Sequence, residues 1–321
     1  MHITMGHADA GLVTRVTEAH SPGMGSVLPE MVSSRSRRWT MTKLGAIALA
    51  AAFVFHPAGF AWAQSSAQMT AKQRAIADLK QVAYAGDARA QVRLGLIYLT
   101  GDGVAKDDPE AMKWLRMAAD QDNPVGERYL AEMYFKGRGV PADNMEAAKW
   151  LRMAADQGDA QSQHNLAVLY TQGLGVPRNL REAANWMRKA ADQNLADAQL
   201  ALGVFYENGQ GVTEDPIEAA KWYRKAVDQE NVPAMNSLAL LMATSANTTV
   251  RNPQAALALA QKAVASGGNP DYLDTLAAAY FANGQTDMAI DTEQKALAKD
   301  PENDSYKKAL QRYLGAAHGS R

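Results

Sequence analysis

Residues 86–122 read GDARAQVRLGLIYLTGDGVAKDDPEAMKWLRMAADQD, and this stretch decides the fold. Its landmark residues return every 36 positions along the chain, without a slip. The columns are Trp114, Trp150, Trp186 and Trp222; Tyr98, Tyr134, Tyr170 and Tyr206; Gly101, Gly137, Gly173 and Gly209. A fixed period of this length indicates one supersecondary unit stacked on copies of itself. Such stacks provide long binding surfaces.

Each unit is predicted to contain two helices. Residues 88–100 carry Leu94 and Tyr98 on one face at helical spacing. Gly101 ends this helix, because glycine reaches the left-handed conformation of a helix C-cap without steric cost. A small residue recurs in the first helix and lets its partner helix approach closely, with the large tryptophan filling the neighbouring space. The small column is Gly95, Ala131, Ala167 and Gly203.

The second helix is predicted to begin at an Asp or Asn that is followed three residues later by Glu. This spacing is that of a capping box, in which the two side chains satisfy free backbone N–H groups at the helix start. It occurs four times, at Asp107/Glu110, Asp143/Glu146, Asn179/Glu182 and Asp215/Glu218.

These units resemble the Sel1-like repeat, a relative of the tetratricopeptide repeat. Three stretches carry the resemblance: AQVRLGLIYLTGDGVAKDDPEAMKWLRMAAD (90–120), SQHNLAVLYTQGLGVPRNLREAANWMRKAAD (162–192) and AQLALGVFYENGQGVTEDPIEAAKWYRKAVD (198–228). The resemblance implies an all-α fold, a right-handed α-solenoid of stacked helix-turn-helix repeats. It also implies a protein-interaction role.

The remaining segments are assigned around these repeats. Residues 64–85 are predicted to form an N-terminal capping helix, and 86–230 hold four clear repeats. Residues 231–267 form a degenerate repeat, in which Met242 replaces the tyrosine and Ala258 the tryptophan. Residues 268–303 resemble a tetratricopeptide unit, and 304–321 are predicted to be a capping helix and tail, since end units must cover an exposed apolar face.

Residues 31–63 have the pattern of a secretory signal peptide. Basic residues between 35 and 43 precede the apolar run 44–55, a helix-breaking stretch with Pro57 and Gly59, and Ala61-Trp62-Ala63. Cleavage is expected before Gln64. The alternative is an uncleaved anchor, but the apolar run is short for a hydrocarbon layer of about 30 Å. Residues 1–30 are a disordered leader, or the true start is Met31. We expect a periplasmic or secreted protein without a stable membrane anchor.

Composition argues against several function classes. Formal net charge is −1, which does not favour nucleic acid as a partner, and cysteine is absent, which excludes disulfides and thiolate metal sites. After signal removal only His164 and His318 remain as histidines. We therefore predict no enzyme, no cofactor and no metal. Glu132 with Glu127 or Glu207 is better explained by ion pairing and solvation than by paired catalytic carboxylates.

Columns that vary between units are free to bind a partner. By analogy with tetratricopeptide geometry, the first helix of each unit lines a concave groove. Its mixed surface suits an extended or helical segment of a peptide or protein. A solvated face without ligand is the alternative. The predicted contact residues are Arg89, Val92, Leu96, Val125, Arg128, Glu132, Phe135, Lys136, Gln161, His164, Val168, Gln172, Leu200, Val204 and Glu207.

The resemblance suggests an exported adaptor for envelope assembly, polysaccharide export or regulation of a membrane sensor. A secreted effector acting on a host or neighbouring cell is the first alternative. A cell-wall enzyme is the second, since some cysteine-rich Sel1-like proteins are associated with penicillin binding or hydrolysis. This chain has neither cysteine nor a Ser-x-x-Lys motif in its repeats.

Overall fold

The structure, a computed structural model, describes residues 57–319, and the side chains of 71–318. Every regular element in this part of the chain is a helix. The helices are α1 Pro57–Tyr84, α2 Ala88–Thr100, α3 Asp108–Ala119, α4 Pro124–Lys136, α5 Asn144–Asp156, α6 Ala160–Gln172, α7 Leu180–Asp192, α8 Ala196–Glu207, α9 Pro216–Val227, α10 Val232–Thr244, α11 Pro253–Ser266, α12 Pro270–Ala282, α13 Thr286–Lys299 and α14 Asp304–Gly319. Each helix from α3 to α13 packs against the helices before and after it, which confirms the α-solenoid.

The helix pairs follow the sequence period. The first unit is α2–α3, the second α4–α5, the third α6–α7, the fourth α8–α9 and the fifth α10–α11. Gly101 ends α2 at φ 75°, and its N–H donates to the carbonyl of Ile97. The C-cap predicted from the glycine column is therefore confirmed at this helix.

Only one of the two hydrogen bonds of each predicted capping box forms, the one in which the N-cap side chain accepts from the backbone. Asp143 accepts from the backbone N–H groups of Met145 and Glu146, as predicted. The reciprocal bond is missing, because the N–H of Asp143 donates to the carbonyl of Tyr134 at 2.9 Å. Glu146 instead lies 3.4 Å from the ammonium group of Lys149. The same backbone bond, from the N-cap to the carbonyl of the tyrosine column, recurs in the first, third and fourth units.

The small column permits close helix approach, but its neighbour is not the tryptophan. A Cβ added to Gly95 would lie 2.5 Å from Cγ of Leu115, and one added to Gly203 would lie 2.4 Å from Cε1 of Tyr223. The side chain that fills this space is thus the residue after each tryptophan. The indole of Trp114 instead meets the ring of Tyr84 edge-on, at a centroid distance of 4.8 Å.

The loop between the two helices touches the preceding unit. Gly175 has φ +68°, and a Cβ there would lie 1.9 Å from the carbonyl oxygen of Asn144 at the start of α5. Gly211 has the same relation to Leu180, at 2.0 Å. The second glycine of each loop therefore serves close contact between units as well as the turn itself.

The N-terminal part of α1 differs from the prediction. Pro57 and Gly59 were expected to break a helix, but α1 begins at Pro57 and continues through Gly59. Proline is tolerated at the first helical position, where its missing N–H leaves no bond unmade. Further along α1, Ile76 and Ala83 are buried at positions 36 residues before Met112 and Ala119. The rest of the predicted signal peptide and the leader, 1–56, lie outside the described residues.

Candidate partner-binding surface

The predicted contact residues belong to the first helix of each of the first four units. We call the surface formed by α2, α4, α6 and α8 the first-helix face. Sequence variation and the analogy with tetratricopeptide geometry placed these residues on it. The structure divides them into three groups by exposure. Arg89, Lys136 and Gln172 are exposed; Leu96, Val125, Arg128, Glu132, Phe135, Gln161, Leu200, Val204 and Glu207 are half-buried; Val92, His164 and Val168 are buried.

Three of the predicted contact residues have little exposed surface. Val168 is only 2% exposed, and both Val92 and His164 are 8% exposed. The helix of His164, α6, is packed between α5 and α7. Burial lowers the pKa of the His164 imidazole, since a charged ring would lose its hydration. A position whose residue varies between units can therefore be buried in the core, where the residues packed against it differ as well.

Several polar side chains on this face are already engaged within the protein. Arg128 lies 3.3 Å from Asp159, and its guanidinium group stands 4.6 Å from the ring centroid of Tyr129. Glu132 pairs with Lys136 at 2.5 Å. Binding through any of these groups has to compete with an existing ion pair.

Other members of the predicted set also have internal contacts. Glu207 accepts a hydrogen bond of 2.5 Å from the hydroxyl of Tyr223. Phe135 packs against the buried core. These contacts mark Glu207 and Phe135 as structural in part, which lessens their value as specific probes of binding.

The first-helix face contains a cleft between α2 and α4. Its volume is about 420 Å³, and its lining consists almost entirely of apolar surface. Five residues line it: Arg89, Val92, Asn123, Pro124 and Val125. Val92 forms its buried floor, so this residue keeps a place at the site despite its low exposure. The other four are exposed or half-buried and remain accessible.

Asn123 and Pro124 were missed from sequence because they precede the helix interior. Asn123 caps α4 by accepting from the N–H groups of Val125 and Gly126, and Pro124 occupies the first helical position. A signal existed, since the other three units have alanine where Pro124 stands. Departures from the repeat at a helix start, as well as in its interior, can therefore indicate a site.

Two arginines of α2 lie at or near the cleft. Arg89 and Arg93 are both exposed on α2, four residues apart. Neither forms an ion pair within the described residues. Like charges at this spacing repel each other across one helical turn. An anionic group bound beside them would relieve that repulsion.

Within residues 71–318, no group of three or more His, Asp and Glu side chains is placed to hold a metal ion. In the same part of the chain, no helix combines the length and the apolar character that a bilayer crossing requires. The apolar run 44–55 lies outside it.

Comparison with known families identifies the repeat. The Sel1 repeat matches residues 88–123, 124–159, 160–195, 196–231 and 232–268, more than half of the chain. The segment that the sequence marked as degenerate is thus a fifth match. Despite the loss of tyrosine and tryptophan, Asn252 there donates its N–H to the carbonyl of Met242, as the N-caps of earlier units do to their tyrosines.

Two of the solved structures that are similar to this chain are themselves described as SLR or Sel1 repeat proteins. One is a protective antigen present in uropathogenic Escherichia coli strains, which displays an SLR fold: identity is 31%, 76% of this chain and 59% of that chain are covered, and the TM-score is 0.51. This chain thus spans well under two thirds of that protein. The other is a Sel1 repeat protein from Oxalobacter formigenes, with 28% identity, coverage of 64% and 85%, and a TM-score of 0.54. No curated protein matches by sequence.

Proposed function

Because the chain belongs to the Sel1 repeat family, we propose that it is an interaction scaffold whose first-helix face binds a segment of a protein partner. Proteins built from Sel1 and tetratricopeptide-like repeats typically mediate protein–protein interaction and act as scaffolds rather than enzymes. The cleft between α2 and α4 is the observation that carries the proposal for this chain.

The lining of the cleft supports a proposal for the chemistry of the partner. Its apolar lining by Val92, Pro124 and Val125 suits an aliphatic or aromatic side chain. Arg89 at its edge and Arg93 one turn further on suit carboxylate groups on either side of that anchor. The partner segment therefore combines one apolar anchor with flanking Asp or Glu residues. Arginines and buried apolar anchors are common energetic centres of interfaces.

Site-specific photo-crosslinking in intact cells tests where the partner binds. A photo-reactive residue at Val125 should capture the partner. The same residue at Met145, which is 72% exposed at the start of a second helix, should not. Capture at Met145 but not at Val125 would move the binding surface to the second helices.

Charge reversal then tests the chemistry on the purified pair. Arg89→Glu should weaken the complex by roughly tenfold or more, about 1–2 kcal/mol, if Arg89 is an interface centre. Arg181→Glu is the matched control, because Arg181 is also exposed but lies in α7, a second helix. Equal affinity of both variants and the wild type would refute the proposed role of Arg89.

The scaffold is further proposed to act after export, in the envelope. The support is the basic, apolar and Ala-x-Ala pattern of residues 31–63. An envelope adaptor could serve complex assembly, polysaccharide export or a membrane sensor. N-terminal sequencing of protein from a periplasmic fraction should give a start at or near Gln64. Full-length protein that retains residues 44–55 in the membrane would contradict cleavage.

A further inference from the structure

A column of buried amides ties neighbouring units together. Gln91, Gln163 and Gln199 occupy the same position in their units and are at most 4% exposed. Each donates its side-chain N–H to the carbonyl eight residues earlier: to Ala83 at 3.0 Å, to Ala155 at 3.0 Å and to Ala191 at 3.3 Å. That carbonyl belongs to the end of the preceding helix, so each amide joins two units.

The same amides also accept a bond from their own unit. Gln121 donates to Oε1 of Gln91 at 2.7 Å, and Gln193 donates to Oε1 of Gln163 at 2.8 Å. Gln229 does the same for Gln199 at 2.7 Å. Each buried amide therefore uses both its oxygen and its nitrogen, and the position needs a group that can accept and donate at once.

The second unit places a carboxyl group, Glu127, at this position. Glu127 is fully buried, and Gln157 donates to both of its oxygens, at 3.0 and 2.9 Å. The accepting half of the pattern is thus preserved. In the other three units the donated bond goes to the carbonyl eight residues earlier, and the equivalent carbonyl for Glu127 is that of Ala119. An ionised carboxylate has no proton to donate there.

The charged groups around Glu127 do not favour ionisation. Asp122 lies in the turn before α4 and Asp159 at the start of α6, and both disfavour a second negative charge. The hydrogen bonds from Gln157, at the end of α5, act the other way and lower the pKa of Glu127. The nearest cation along α4, Arg128, is paired with Asp159 at 3.3 Å. Burial is the largest effect, and burial and the two aspartates outweigh Gln157 and raise the pKa of Glu127 to about 7.

We propose that Glu127 is a proton-binding switch at the joint between the first and second units. When protonated, its O–H donates to the Ala119 carbonyl, as the glutamines do in the other units. When ionised, it loses that bond and sets a buried negative charge against the lone pairs of a carbonyl oxygen. The joint is therefore tighter in acid than in base.

The sign of the pH dependence follows from linkage. The pKa of Glu127 is raised in the folded state, from an ordinary value of 4.5 to about 7, so the folded state binds the proton more tightly than the unfolded chain. Stability should then fall as pH rises from about 4.5 through about 7, and level off above that. Glu293 is a second buried carboxyl with a raised pKa, about 8, and acts in the same direction. The lowered pKa of His164 acts in the opposite direction.

Comparison with Glu127→Gln isolates the contribution of this one group, because Glu293 and His164 are present in both proteins. Glutamine stands at this position in three other units, so the variant should fold. Urea unfolding is measured for both proteins between about pH 5.5 and 8.5. The unfolding equilibrium constant of the wild type, relative to the variant, should rise by roughly 30-fold across this range. Gln163→Glu, the reciprocal change in the third unit, should introduce a dependence of the same sign.

Carbon-13 NMR of labelled glutamate gives a direct second reading. The carboxyl resonance that disappears in Glu127→Gln should titrate with a midpoint near neutral pH. A midpoint near the ordinary 4.5 would overturn the proposal, as would wild-type and Glu127→Gln stabilities that change in parallel with pH.

Discussion

At the scale of single residues, a column of arginines joins each unit to the next. Arg116 on α3 donates to the hydroxyl of Tyr134, and Arg152 on α5 does the same for Tyr170. The guanidinium group of Arg152 also lies 5.6 Å from the ring of Tyr170 and 5.7 Å from that of Trp186. One side chain thus contacts both aromatic columns of the following unit. Arg188 repeats the contact with the tyrosine of the fourth unit.

This arginine column repeats every 36 residues, and only the tertiary structure reveals its partners. Lys80, Arg116, Arg152, Arg188 and Arg224 share it. The Lys80 ammonium group lies 5.3 Å from the ring centroid of Tyr98, and this tyrosine raises the pKa of Lys80. The capping helix is therefore attached to the first unit by the contact that the units use among themselves.

Substitution of Arg152 should show how much this contact contributes to the free energy of unfolding. Arg152→Ala should lower the free energy of unfolding by about 1–2 kcal/mol, because a hydrogen bond and two cation–π contacts are lost. Arg224→Ala is the matched control. Arg224 is exposed, and Met242 stands in the tyrosine column of its next unit, so its loss should cost about 0.5 kcal/mol or less. Equal losses in urea unfolding would mean that the aromatic contacts contribute nothing.

At the scale of elements, the start of each second helix depends on one side chain more than on the pair that the sequence suggested. Asp143 accepts from the N–H groups of Met145 and Glu146 at 2.9 and 3.1 Å. The N–H of Asp143 is satisfied by Tyr134 of the helix before. The backbone thus takes the place of the glutamate in the capping box and links the two helices of one unit.

The two members of this capping pair should therefore differ in their contribution to stability. Asp143→Ala removes the acceptor for two backbone N–H groups and should cost about 1 kcal/mol. Glu146→Ala removes a partly exposed pair with Lys149 and should cost only a few tenths of a kcal/mol. Thermal unfolding of the two variants provides the comparison. A larger loss for Glu146→Ala would show that the reciprocal bond does form in solution.

At the scale of the whole repeat region, the buried core of the described residues is divided. One cluster runs from Ile76 to Phe205 and includes Trp222, and a second runs from Ala219 to Ala279. Trp150 lies inside the first cluster with a unit of the same pattern on each side. Trp222 lies at its end, beside the fifth unit, which lacks both aromatic columns. Contacts pass only between neighbours, so position within the array should affect stability.

Truncation of each tryptophan tests this dependence on neighbours. Both indoles are buried, and Trp→Ala changes of this kind cost about 3–5 kcal/mol. Trp150→Ala should lower hydrogen-exchange protection across the second and third units, while Trp222→Ala should lower it mainly from α8 to α10. The loss of hydrogen-exchange protection should be larger in Trp150→Ala than in Trp222→Ala. Identical protection patterns would mean that the array unfolds as one cooperative unit.

The sequence alone determined the fold, because its period states which contacts recur. Glycine, tyrosine and tryptophan at a 36-residue step specify two helices, a left-handed cap and a packed interface. Because the units stack in the same way, these contacts recur in each unit. The starts of the helices and the membership of the Sel1 repeat family could be predicted for the same reason. The burial of Val92, His164 and Val168 could not, since variation does not separate solvent-facing positions from packed ones.

Only the tertiary structure decided which side chains meet across units. In the folded protein, Glu207 accepts a hydrogen bond from Tyr223, and Asn123 and Pro124 line a cleft. The carboxyl group of Glu127 is buried at the position where three other units have the amide of a glutamine. The 36-residue period predicts which positions are in contact. It does not predict how two side chains interact when one of them differs from the residue that the other units have at that position. The ionisation and exposure of such a residue depend on the surrounding burial and charges, which neighbouring units supply through space.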